Sequence, residues 1–113
     1  LERVTWNKYH AQKTTRNGKT FHSKHEADRY AELLLLERAG KISGLKTQVS
    51  YIVIPAQYEN GKCVEKSCRY VADFVYWQDC QLVVEDAKGF KTDAYKIKKK
   101  LMRQVYGIKI KEV

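Results

Sequence analysis

RYVADFVYW (residues 69–77), QDCQ (78–81) and LVVEDAK (82–88) make up the stretch whose reading decides the fold. The outer segments are rich in β-branched and aromatic residues, which suit a pleated, half-buried surface. The polar residues between them form a short loop, so the stretch predicts a β-hairpin. Acids interrupt both strands: Asp73 in the first, Glu85 and Asp86 in the second. Asp is depleted in strands, and an ionised carboxylate near a core is costly unless it is paired or bound to metal. With Trp77 opposite Leu82, Tyr76 faces Val83, Val75 faces Val84, Phe74 faces Glu85 and Asp73 faces Asp86. Alternation then places Asp86 and Lys88 on one face and Glu85 on the other. A shift of one residue pairs Asp73 with Glu85 instead. Opposed carboxylates repel, and a cation between them relieves the repulsion. Two carboxylates plus a backbone carbonyl, that of Ala87, suit a hard cation such as Mg²⁺ or Mn²⁺. Lys88 would orient an attacking water or neutralise developing charge. The competing reading is a salt bridge from Asp73 or Asp86 to a lysine, without catalysis.

Outward from the hairpin, residues 23–40 predict a helix. Ser23 and Glu26 make a Ser-x-x-Glu capping box. Ala27, Tyr30, Ala31, Leu34 and Leu35 follow at helical spacing, and Gly40 is a stop. Residues 45–54 predict a strand ended by Pro55. Asn60-Gly61 marks a second hairpin turn, and Asn17-Gly18 marks an early ribbon over residues 8–21. Thr92 can cap a helix over about 93–106, with Ala94, Ile97, Leu101 and Val105 as its apolar stripe. Gly107 stops it, and residues 108–113 alternate as a last strand. The order is helix, three strands, helix, strand, which predicts a mixed α/β sheet flanked by helices.

With 113 residues, the chain predicts a single domain over 1–113, with residues 1–22 as a basic ribbon or arm. No run of about 20 apolar residues is present, which excludes a membrane-spanning helix. No charged–apolar–small leader is visible. The three cysteines are an odd number, which argues against a disulfide scaffold and for a reduced, cytoplasmic setting. Net charge is +9, and it is unevenly spread. Residues 1–22 carry five basic side chains and one acid, residues 23–87 eight and ten, and residues 88–113 nine and two. Basic ends around an acidic centre suit a polyanion held near a cation.

Asp73 followed by Asp86-Ala87-Lys88 resembles the D…(D/E)xK signature of the PD-(D/E)xK nuclease superfamily. The element order is also similar to that fold's restriction-endonuclease-like αβββαβ core. Within the superfamily the arrangement resembles a group of small phage proteins. The similar stretches are FHSKHEADRY (21–30), RYVADFVYW (69–77), VVEDAKGFKTDAYKIKKKLM (83–102) and YGIKIKEV (106–113). They span nearly the whole chain from about Trp6. The resemblance implies Mg²⁺-dependent cleavage of DNA, with Mn²⁺ able to substitute. Asp73 and Asp86 would be metal ligands, Lys88 the catalytic lysine, and Glu26 the acid supplied by the first helix. Ala72 stands where the superfamily often has Pro. Asp86 replaces the more frequent Glu, which leaves Glu85 beside it as the less favoured ligand. Lys91, Tyr95, Lys98, Lys99 and Lys100 would line a phosphate track, unless Thr92 only caps the helix and Tyr95 only packs. Lys8, Lys13, Arg16 and Lys19 would clamp the duplex or reach a second subunit. By analogy with compact phage nucleases, the expected substrate is branched DNA such as a Holliday junction. The expected assembly is a homodimer, acting with phage recombination or replication proteins in the host cytoplasm. The alternative is a nucleic-acid-binding or recombination accessory protein that keeps the fold without catalysis.

Overall fold

The computed structural model describes residues 14–16 and 19–113. A ribbon of β1 (Thr14–Arg16) and β2 (Lys19–Phe21) leads into α1 (Lys24–Arg38). The Ser23 hydroxyl accepts the Glu26 N–H at 3.1 Å and so satisfies one donor that the first helical turn leaves open. Next come β3 (Ser43–Ile54), a small hairpin of β4 (Gln57–Glu59) and β5 (Lys62–Glu65), β6 (Cys68–Gln78) and β7 (Gln81–Asp86). The chain closes with α2 (Asp93–Tyr106) and β8 (Lys111–Glu112). Thr92 caps α2 by accepting the Tyr95 N–H at 3.1 Å. Gly107, at φ +68°, ends it in the left-handed conformation that glycine adopts without strain.

The central sheet has the order β3-β6-β7-β8, with β8 parallel to β7 and the other pairs antiparallel. This is the expected mixed sheet, and α1 and α2 serve separate cores. Ala27, Tyr30 and Leu33 of α1 join Phe21, Phe74 and Tyr76. Tyr95 and Met102 of α2 join Tyr70, Ala72, Val75 and Val84. Phe21 fastens the ribbon, its ring 5.0 Å from that of Tyr30. No described helix is long and apolar enough to cross a membrane.

As far as Phe74 the hairpin register is the one expected: Trp77 pairs with Leu82, Tyr76 with Val83, Val75 with Val84 and Phe74 with Glu85, but the ladder ends there and the expected Asp73–Asp86 pair is not part of it. The loop is tighter than expected. Gln78 pairs with Gln81, leaving Asp79 and Cys80 as a two-residue turn, both at positive φ. Such turns match the twist of the flanking strands. The last strand is shorter than expected, only Lys111–Glu112. The early ribbon is present in part. Residues 1–13 and 17–18, with Lys8, Lys13 and the Asn17-Gly18 turn, lie outside the described residues.

The expected stripe of α1 holds in part, with Ala27 and Tyr30 buried and Leu34 packed beside them, whereas α2 turns a different face inward from the one its apolar spacing suggested. In α1, Leu33 is fully buried and Leu35 is 64% exposed. Four consecutive leucines carry no phase, so packing chooses among them. In α2 the buried residues are Tyr95 and Met102, two turns apart, while Ala94, Ile97 and Val105 are exposed. Lys98 and Lys99 are half-buried on the inward side, where lysine stems cover apolar surface. Trp77 is 49% exposed at the hairpin end, whereas Tyr70 is buried.

Glu85 ties the layers together. Arg29 of α1 grips it with both arms, Nε to Oε1 at 2.8 Å and an Nη2 to Oε2 at 2.7 Å. The Tyr76 hydroxyl also donates to Oε2, and Lys111 of β8 stands 3.9 Å away. A two-pronged guanidinium–carboxylate pair is among the stronger charge-assisted contacts. It also holds the Arg29 guanidinium further above its already high range. Removing one partner strands a buried charge. Arg29→Ala should therefore cost about 3–5 kcal/mol in urea unfolding, and Arg29→Met with Glu85→Leu should recover most of that loss. An Arg29→Ala midpoint equal to that of the wild type would contradict this role.

Candidate functional site

Strand alternation fixes the site's location. Glu85 and Asp86 are neighbours on β7, so they face opposite cores. Glu85 points to the α1 side and is taken by Arg29. Asp86 points to the α2 side, fully buried. The Tyr70 hydroxyl donates to its Oδ2 at 2.5 Å. Its Oδ1 is also buried and receives no hydrogen bond from the described residues. Lys88 Nζ lies 3.4 Å from Oδ1, close enough for an ion pair but not aligned as a hydrogen-bond donor. The same ammonium sits 5.2 Å from the centre of the Tyr95 ring, a cation–π contact that helps hold it. Burial pushes the Asp86 carboxyl up from its ordinary range, and the neighbouring Asp73 charge adds to this.

Asp73 lies where both central strands change phase. Tyr70 and Ala72 belong to the α2-side core, whereas Phe74 and Tyr76, continuing the same count of two, belong to the α1 side. On β3, Val49 and Leu45 likewise fall on opposite sides. The ladder runs from Thr47↔Phe74 to Val49↔Ala72 without a Gln48–Asp73 pair between them. Gln48 has φ +54°, a conformation costly for a residue with a side chain and found where a structure fixes it for a purpose. Its amide nitrogen reaches Glu26 Oε2 at 3.2 Å and Asp73 Oδ1 at 3.5 Å, bridging two carboxylates. Asp73 Oδ2 accepts the Ala87 N–H at 2.8 Å, so the side chain continues the β6–β7 pairing beyond Phe74.

The two carboxylate oxygens of Glu26 meet different partners: Oε1 accepts the His22 N–H at 3.0 Å, one residue before the Ser23 N–H that a capping box uses, and Oε2 accepts from the Gln48 amide. The residue is only 3% exposed.

The structure therefore brings together Glu26, Asp73, Asp86 and Lys88, and takes Glu85 away from them. The recorded contact of Ala87 with Asp73 is through its N–H. Among the described residues no group of three or more His, Cys, Asp and Glu side chains already stands at metal-binding geometry. Gln48 and the Ala87 N–H hold the acids where they are. The α2 residues divide. Tyr95 is buried, and its hydroxyl donates to Glu112 at 2.8 Å. Lys91 and Lys99 pair with Glu112 at 3.2 and 3.3 Å. The Tyr95 hydroxyl and the two lysines hold the Glu112 carboxyl down at about 2. These three residues, expected on a phosphate track, meet Glu112 within the fold, because β8 returns it beside the start of α2. Lys98 and Lys100 have no such partner among the described residues. Arg16 and Lys19 fall on the ribbon strands.

A family model described as protein of unknown function (DUF1064) matches residues 6–112, and the chain belongs to that family. No curated protein matches the chain, and no solved structure does.

Burial, reinforced by the adjoining Glu26 carboxylate, raises the Asp73 carboxyl from 3.8 to about 6. A carboxyl whose folded value lies above its unfolded one binds a proton on folding between the two. Its contribution to stability is present below the lower value and is lost as pH rises through the upper one. In metal-free buffer, stability should therefore fall between about pH 4 and 6 on account of this group. Asp73→Asn, whose amide oxygen can still accept the Ala87 N–H, should flatten that fall and raise the urea midpoint at pH 7. An Asp73→Asn profile parallel to that of the wild type would contradict the assignment.

Proposed function

We propose that this member of the DUF1064 family is a divalent-metal-dependent deoxyribonuclease of the PD-(D/E)xK type, hydrolysing phosphodiester bonds of DNA. The observation that carries the reading is Asp86 with Lys88. Among the described residues a fully buried carboxylate keeps one oxygen without a hydrogen-bond donor, a lysine ammonium stands beside it, Asp73 adjoins it, and Glu26 adjoins Asp73. A buried, unsatisfied oxygen is costly and calls for an explanation. A hard cation supplies one. Its preference for oxygen ligands fits the donor set, and its charge would offset the burial and the neighbouring Glu26 carboxylate that raise Asp73. Asp86 through Oδ1, Asp73 and the Gln48-facing oxygen of Glu26 would hold it. Bound there, Mg²⁺ or Mn²⁺ supplies charge stabilisation for phosphodiester hydrolysis.

The remaining work belongs to the chain. Lys88, steadied by Asp86 and the Tyr95 ring, orients the attacking water and offsets charge developing on the phosphate oxygens. Tyr70 holds Asp86 through Oδ2 and so leaves Oδ1 facing Lys88. Gln48 spaces Glu26 from Asp73. Glu85 has no part in the chemistry and anchors the strand that carries Asp86. The cations around the site are of the type that contacts phosphate, and such contacts position DNA without reading its sequence. The reading therefore includes selectivity for DNA structure, with branched junctions cut by a homodimer, in phage DNA replication, recombination or packaging.

The test is cleavage of four-way-junction, flap, single-stranded and linear duplex DNA with Mg²⁺ or Mn²⁺. Asp86→Asn and Lys88→Ala should each lower the rate at least a hundredfold while leaving the unfolding free energy in urea within about 2 kcal/mol of the wild type. Glu85→Gln should instead lose stability. Cutting that survives in Asp86→Asn would overturn the site. Metal-independent DNA binding with no cutting of any substrate would favour the non-catalytic binding module.

A further inference from the structure

A cleft of about 260 Å³ opens beside the Asp86–Lys88 pair, between β6 and α2. Arg69, Tyr70, Lys88, Thr92, Tyr95 and Lys98 are among its lining residues, and no acidic side chain lines it. A second cleft, of about 420 Å³, lies along α2 and is also rich in cations, but it contains Glu112. The two differ in how their charge is met. In the second cleft Lys91 and Lys99 are already paired with Glu112. In the first, Arg69 contacts only the Ser50 hydroxyl, at 3.4 Å, and Lys98 has no ionic partner among the described residues. Lys88 forms an ion pair with the buried Asp86 and feels the charge of Asp73. Three cations thus converge on one pocket, and the carboxylates nearest them, Asp86 and Asp73, are not part of its lining. Such a pocket attracts an anion.

We infer that this cleft seats a phosphate group of a nucleic-acid strand next to the Asp86–Lys88 pair, with Arg69 and Lys98 as its positioning residues. The inference rests on the nuclease reading for its choice of anion, and on the cleft's own charge for the site. Arg69 lies outside both basic ends of the sequence, so no charge run marks it. It reaches the cleft from β6, four residues before Asp73. A planar guanidinium offers two parallel donors to a phosphate, and Lys98 adds a point charge from the opposite wall. An internal phosphodiester and a terminal phosphomonoester share this chemistry.

The experiment measures DNA affinity by fluorescence anisotropy in EDTA across a salt series. It compares the wild type, Arg69→Gln with Lys98→Gln, and a charge-matched control, Lys41→Gln with Lys62→Gln. Each phosphate contact contributes about 0.9 to the slope of log affinity against log salt. The cleft variant should lower that slope by about 2, weaken binding at least tenfold, and regain most of the loss when Arg69 is replaced by Lys instead. The control should shift far less. Equal losses in the cleft variant and the control would overturn the inference. Comparing 5′-phosphorylated, 5′-hydroxyl and circular single strands separates the two sources. A preference confined to the phosphorylated end assigns a terminal phosphate, and equal binding assigns an internal one. Amide shifts of Arg69, Thr92 and Lys98 with thymidine 3′,5′-bisphosphate give a readout independent of cleavage. Shifts there in a protein that cuts no DNA would keep the phosphate seat and sink the nuclease. Normal cutting and normal salt slope in the cleft variant would do the reverse.

Discussion

A β-strand sends neighbouring side chains to opposite faces, and β7 ends on two neighbouring acids. Everything at this site depends on how the two charges are met. Glu85 falls on the α1 side, where Arg29, Tyr76 and Lys111 satisfy it. Asp86 falls on the α2 side, where one oxygen has Tyr70 and the other has no hydrogen bond. Two adjacent carboxylates of the same burial thus differ in kind. One is a closed electrostatic joint between helix and sheet, and the other is an open one.

The second constraint is the change of phase at Gln48 and Asp73. Without it, Asp73 would sit in an unbroken ladder. With it, the Asp73 side chain receives the Ala87 N–H and meets Glu26 across the Gln48 amide. Burial, reinforced by the adjoining Glu26 carboxylate, raises Asp73 to about 6 and costs stability at neutral pH. Crowded like charges and a buried oxygen without a donor are expenditures that a purely structural salt bridge does not require. That contrast separates the site from the Arg29–Glu85 pair one residue away.

Much of this was legible in the sequence, and for identifiable reasons. Strong β formers on both sides of a short polar loop fixed the register, and register with alternation put Asp86 and Lys88 together. Ser23, Thr92 and Gly107 marked helix ends through local chemistry. The inward faces were harder to read. Leu33–Leu36 all satisfy an apolar stripe, and in α2 the exposed Ile97 and Val105 equal in number the buried Tyr95 and Met102. Tertiary packing decides such cases, not periodicity. Gln48 was missed because nothing in a polar residue within a strand announces a positive φ or a bridging amide. The Glu112 cluster was missed because Lys91, Lys99 and Tyr95 meet their partner only when β8 returns beside β7. Arg69 was overlooked because isolated cations carry no pattern until a cleft gathers them.

The most direct measurement is Mn²⁺ placement, by anomalous diffraction from crystals of the wild type and of Asp86→Asn grown with the ion. One peak against Asp86 Oδ1 and Asp73, lost in the variant, is the result expected. Mn²⁺ absent from these carboxylates in the wild type, or bound only at surface acids, would contradict the reading of Asp86 as an open ligand.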